Sequence, residues 1–167
     1  MWRIYKHSLI LAAAFLLLSG CTPAVKQNQA AGAAIPEQVQ HEFAAAVAKI
    51  TSGEDAAAIQ QLEAFIERYP NYSAAYVNLA IVYQRQQQSE QALRVLKKAI
   101  EVDPAAVEAM NQLGVISRRQ GDFAAAEAYW RQAVAADPTY AYGWYNLGIL
   151  CELYKQDLPG ALENYRR

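Results

Sequence analysis

Pro70, Pro104 and Pro138 stand 34 residues apart, and no other feature of this chain restricts its fold so strongly. Two of the three close an Asp-Pro pair, Asp103-Pro104 and Asp137-Pro138. Other residues keep the register: Ala58, Ala92 and Ala126 each lie twelve positions before a proline, and Leu79, Leu113 and Leu147 are again 34 apart. A fixed period of about 20 to 50 residues marks stacked units, each unable to bury its apolar face alone. Three columns in one register make this a repeat protein.

Each period reads as two amphipathic helices. Phe43, Val47 and Ile50 recur at helical spacing over Val39–Thr51, and Ile59, Leu62 and Ile66 over Asp55–Arg68, with Gly53 at the turn between them. The next pairs fall at Ser73–Arg85 with Ser89–Val102, and at Val107–Arg119 with Asp122–Ala136. A fourth pair begins at Ala141 and resumes at about Pro159–Arg167. Each proline ends its helix, because it has no N–H to donate and biases its predecessor away from helical geometry. Asp122, after Gly121, suits an N-cap.

Tyr76, Leu79, Ala80, Tyr83, Ala92, Leu96, Ala99 and Pro104 resemble the tetratricopeptide repeat, as do Met110, Leu113, Gly114, Ala126, Trp130, Ala133 and Pro138. Trp144, Leu147 and Gly148 open a fourth unit of the same kind. The resemblance implies an all-α fold, a right-handed α-solenoid of about four helix-turn-helix units at 39–72, 73–106, 107–140 and 141–167. Small residues at positions 8 and 20 (Ala80 and Ala92, Gly114 and Ala126, Gly148 and Ala161) let paired helices approach closely. Trp144 is expected in the core and Tyr140 at a repeat junction. The first unit departs from the pattern, with Ala45-Ala46 and Phe65, as terminal repeats do. Gln87 replaces the turn glycine of the second, and the fourth holds one extra residue before Ala161, over 153–157. A fourth proline, due near position 173, is absent, so the expectation is of an incomplete solenoid whose end a partner or further chain covers.

The N-terminal 20 residues have the layout of a secretory signal. Arg3 and Lys6 form a basic start, and the apolar run Leu9–Leu18 is too short to span a bilayer, which takes about 20 residues. Leu18-Ser19-Gly20-Cys21 resembles the lipobox of bacterial lipoproteins. That resemblance implies lipidation of Cys21, cleavage before it and an N-acyl chain; several acyl chains together anchor a protein firmly. Thr22, where an inner-membrane retention signal would place Asp, favours the outer membrane of a Gram-negative envelope, facing the periplasm. Residues 21–36, rich in Ala, Gln, Asn and Gly, read as a flexible tether with a span of about 20 Å. The repeat domain occupies 37–167.

The family lines its concave face with positions 2, 5, 6, 9, 12 and 13 of the first helix. Here the candidates are Val77, Asn78, Ile81 and Arg85; Asn111, Gln112, Val115, Arg118 and Arg119; and Tyr142, Tyr145, Asn146 and Ile149. Asn78, Gln112 and Asn146 form an amide column that either pairs with the backbone of an extended peptide or is simply solvated. Val77, Val115 and Tyr145 would hold such a peptide's side chains. Arg85, Arg118 and Arg119 form either a basic lip or an ordinary helix end, where cations suit the macrodipole. A carboxylate clamp needs Asn at position 9; Val47, Ile81, Val115 and Ile149 stand there instead. Tyr142 and Tyr145 either bind or pack against a further repeat.

A formal charge of −1, falling to −3 once residues 1–20 are removed, lacks the basic excess that nucleic acid requires. His41 is the only histidine beyond the signal, Cys151 reads as a buried free thiol, and no phosphate loop or nucleophile motif occurs. Metal, cofactor, small-molecule and hydrolytic chemistry therefore have no support. The expectation is a membrane-anchored periplasmic scaffold or adaptor for a protein or peptide in outer-membrane, pilus or cell-wall assembly. The alternative is an accessory of a TonB-type transport system.

Overall fold

A computed structural model describes residues 35–167, so the expected signal sequence, Cys21 and most of the expected tether lie outside the described residues. Among the described residues all regular structure is helical. The helices are α1 (Glu37–Thr51), α2 (Asp55–Arg68), α3 (Ser73–Arg85), α4 (Ser89–Val102), α5 (Val107–Arg119), α6 (Phe123–Ala136), α7 (Ala141–Ile149) and α8 (Leu158–Tyr165), with a π-helical turn at Leu150–Tyr154. Substantial packing joins sequence neighbours, and beyond them α1 with α3, α3 with α5, and α6 with the π-turn. A fold of this kind is held by nearest-neighbour interfaces rather than by one central core.

The junctions explain why the helices stop where they do. At Pro70, Pro104 and Pro138 the preceding carbonyl accepts an N–H from three residues on: Tyr69 from Tyr72 (3.1 Å), Asp103 from Ala106 (3.0 Å) and Asp137 from Tyr140 (3.0 Å). The two aspartates add an Asx turn, Asp103 Oδ1 accepting from Ala105 N and Asp137 Oδ1 from Thr139 N. An aromatic at position 4 ties back to the same junction. Tyr76 Oη donates to the Pro70 carbonyl and Trp144 Nε1 to the Pro138 carbonyl, both at 2.9 Å. Within the pairs, Gly53 and Gly121 take positive φ, and Gln87 and Gln156 adopt the same left-handed geometry where the other units use glycine. Asp122 caps α6, its Oδ1 accepting from Ala125 N at 2.9 Å.

Close approach inside each pair sets the core. Ala80, Ala92, Leu96, Leu113, Ala126 and Trp130 are fully buried. A Cβ on Gly114 would lie 2.6 Å from Trp130 Cε2, and one on Gly148 would strike the Tyr165 ring. In the first repeat the size order is inverted. Ala45 and Ala46 are small, and Phe65, Phe43, Tyr69 and Tyr72 fill the space with ring centroids 4.8–5.5 Å apart.

The extra residue of the fourth repeat is absorbed earlier than the sequence suggests. It converts the end of α7 into the π-turn, where Lys155 N donates to the Leu150 carbonyl at 3.1 Å. Leu150 and Cys151 stay buried, while Leu153 and Tyr154 turn outward. Tyr154 then stacks on Phe123 at 4.3 Å, and Lys155 pairs with Glu127. Trp144 corrects an expectation: it is half-buried rather than core. Position 4 is covered at the junction with the following repeat, where Tyr76 packs with Ala106 and Ala109, and Met110 with Tyr140. Trp144 instead packs beside Trp130 and Leu150 and lies under the Arg167 guanidinium at 5.5 Å.

Candidate functional site

Ile81, Gln84, Arg85, Gln112 and Arg119 enclose an open depression of about 290 Å³ between α3 and α5. Four of these five residues are sequence candidates. Gln84 is not, although it shares position 12 with Arg118 and that column would have revealed it. Val115 on α5, Ile149 on α7 and Val47 on α1 repeat the register of Ile81, giving one β-branched residue per repeat, each partly exposed. An aliphatic column along the first helices, with polar groups beside it, is the physical content of the site.

The amide column is committed within the protein. Asn78 Nδ2 donates to the Ala74 carbonyl of its own helix at 2.9 Å. Gln112 Oε1 accepts from Gln84 Nε2 at 3.1 Å, linking α3 to α5. Asn146 is 8% exposed, and its Nδ2 donates to Asn111 Oδ1 at 2.8 Å and to the Tyr142 carbonyl at 3.0 Å. Asn111 also accepts at its carbonyl from Trp130 Nε1 (3.3 Å), so it joins three helices. Gln112 and Asn146 thus link one repeat to the next, whereas Asn78 bonds within its own helix.

Val77 likewise belongs to the core between the second and third repeats, not to the groove. Position 5 faces the next repeat: Val77 is covered there, Asn111 is half covered, and Tyr145 is 57% exposed with its ring 5.9 Å from Tyr165. Tyr142, at position 2, is 68% exposed; its counterparts Ala74 and Glu108 are half-buried and exposed, so its exposure follows the register.

The three arginines differ. Arg85 closes the turn of the first repeat, with Nε donating to Asp55 Oδ2 at 3.0 Å and Nη1 to the Ile50 carbonyl at 3.1 Å. Arg118 lies over the Trp130 ring at 6.0 Å. Arg119 is exposed at the end of α5, and among the described residues no carboxylate pairs with it. Beside the groove, burial and then the charge of Glu108 push the Tyr140 hydroxyl up to about 12, so it stays protonated. Among the described residues no cluster of His, Cys, Asp and Glu could hold a metal ion.

These features define an all-helical repeat protein whose first helices share a partly exposed aliphatic column. A family model described as tetratricopeptide repeat matches residues 77–141 and 117–167, and a second such model matches 42–72. The chain belongs to the tetratricopeptide repeat family. Among solved structures, a thermophilic tetratricopeptide repeat protein of Thermus thermophilus is 27% identical, with a TM-score of 0.66 over 78% of this chain and 72% of that one. A crystal structure of MamA is 18% identical, with a TM-score of 0.66 over 78% and 76% of the two chains. A second MamA structure is 23% identical, with a TM-score of 0.62 over 79% and 72%. The MamA likeness concerns the fold alone. No curated protein matches the chain.

Proposed function

We propose that this chain is a lipid-anchored scaffold of the bacterial envelope that holds a protein partner along its concave face and fixes where an envelope assembly forms. The observation that carries the binding role is the aliphatic column Val47, Ile81, Val115 and Ile149, left partly exposed in the same register on four successive repeats. Each Å² of apolar surface removed from water contributes roughly 25 cal/mol, so a stripe of this kind favours an occupant. The fold is shared by many interaction scaffolds, and the partner is set by side chains such as Ile81, Gln84 and Arg119 rather than by the scaffold.

The anchor rests on the sequence Leu18-Ser19-Gly20-Cys21, and the outer-membrane assignment on Thr22. A photo-crosslinking amino acid at Ile81, compared with one at the exposed Lys97 on α4, tests the binding role in living cells. A discrete protein adduct from Ile81 alone is expected; the same adducts from both positions, or none from Ile81, contradict it. Radiolabelled palmitate should enter the native chain and not a Cys21→Ala variant. Label persisting in that variant sinks the anchor.

A further inference from the structure

We infer that the occupant of this groove is an amphipathic α-helix with an aliphatic stripe and one acidic flank, rather than an extended segment. The inference rests on the proposed groove-binding role and goes beyond it by fixing the partner's secondary structure and charge. An extended segment laid on a surface must find partners for its backbone N–H and C=O groups as water leaves. The amide column is poorly placed to supply them. Asn78 Nδ2 is committed to Ala74, Asn146 Nδ2 to Asn111 and Tyr142, and Gln112 Oε1 to Gln84. The amide atoms left over recur once per first helix, roughly every 8–10 Å, whereas the residues of an extended chain recur every ~3.3 Å. About two in three peptide units would find no amide.

A helix satisfies its own backbone and asks only for apolar contact along one stripe. The column Val47, Ile81, Val115 and Ile149 offers that contact, and the depression beside Ile81 has room for a large side chain. Charge sets the flank. Arg85 is already paired with Asp55 and Arg118 is half-buried over the Trp130 ring, which leaves Arg119, among the described residues, as the exposed and unpaired cation at the edge formed by the ends of the first helices. Glu108, at the start of α5, stands on the opposite edge. An acidic residue of the occupant therefore faces Arg119, whose guanidinium outweighs the partial negative charge at the carboxyl-terminal end of α5.

Two displayed libraries of 20-residue peptides, selected on the full-length chain, test this. One is built of helix-forming residues with randomised stripes, and the other carries a central proline that forbids a helix. The expected winners come from the helical library, with aliphatic residues at i, i+3 or i+4, and i+7 and Asp or Glu on one flank. Arg119→Glu should weaken the best binder at least tenfold, and replacing its acidic flank with Lys should restore binding to that variant. Equally tight binders from the proline library, lost in Ile81→Glu, overturn the helical occupant while leaving the groove-binding role intact. Helical winners indifferent to Arg119→Glu overturn the acidic flank. If neither library yields a binder sensitive to Ile81→Glu, the inference and the groove role both fall.

Discussion

The exchange of a glycine–tryptophan pair for an alanine–leucine pair probes the packing that shapes the groove. In the third repeat Gly114 faces Trp130, whereas the second repeat has Ala80 and Leu96 at the same positions, all four fully or nearly fully buried. Gly114→Ala gains about 1 kcal/mol of helix propensity. Its Cβ, however, would sit 2.6–2.8 Å from Trp130 Cε2 and Cδ1, atoms of a rigid ring with no exposure. Overpacking of that kind costs about 3 kcal/mol, for a net loss of roughly 2. The shift also strains the Trp130 Nε1 hydrogen bond to the Asn111 carbonyl. Trp130→Leu removes a ring whose loss leaves a cavity, at roughly 2–3 kcal/mol. Made together, the two changes recreate the alanine–leucine packing of the second repeat. The double variant should lose only about 1–1.5 kcal/mol, so the coupling is roughly 3 kcal/mol in its favour. Urea unfolding followed by circular dichroism reads all four proteins. Additivity within about 0.5 kcal/mol would show that Gly114 is not set by Trp130.

Further variants probe a turn and an ion pair. Gln87 holds φ of +61° where the turns of the first and third repeats use glycine, so Gln87→Gly should stabilise the chain by about 0.5–1 kcal/mol in the same assay; destabilisation would contradict the strain. Lys155 first, and Arg131 after it, hold the Glu127 carboxyl below the usual carboxylate range. A depressed folded pKa gives stability that is present above the unfolded value of about 4.3 and lost as pH falls through the folded one. Thermal melts should therefore show a shallower loss between about pH 5 and 3 in Glu127→Gln than in the native chain. Equal slopes would refute the pairing that pins the π-turn to α6.

Most helix boundaries were legible because they are written in local chemistry, a proline turn, a glycine or a capping aspartate; the Gln86–Gln88 turn between α3 and α4 was placed by the period instead. α2, α3, α4 and α5 fall on the residues that the periodicity assigns, and α6 begins one residue later only because Asp122 is its cap. The groove was legible as positions but not as environments. Register places Asn146 and Val77 on the first helices, yet whether each is covered depends on its spatial neighbours, Asn111 and Tyr142 for the first and the third-repeat helices for the second. Periodicity carries no such contact. The π-turn was visible as an added residue, but its location depends on which side chains must stay buried, and Leu150 and Cys151 decide that.

Hydrogen exchange on the full-length chain, measured alone and with the partner crosslinked at Ile81, tests the central claim most directly. Protection should rise on α3, α5 and α7, whose exposed faces carry the aliphatic column, and change little on α4 and α6. Protection concentrated on α4 and α6, or spread evenly over both sets, would place the partner elsewhere and contradict recognition through the concave face.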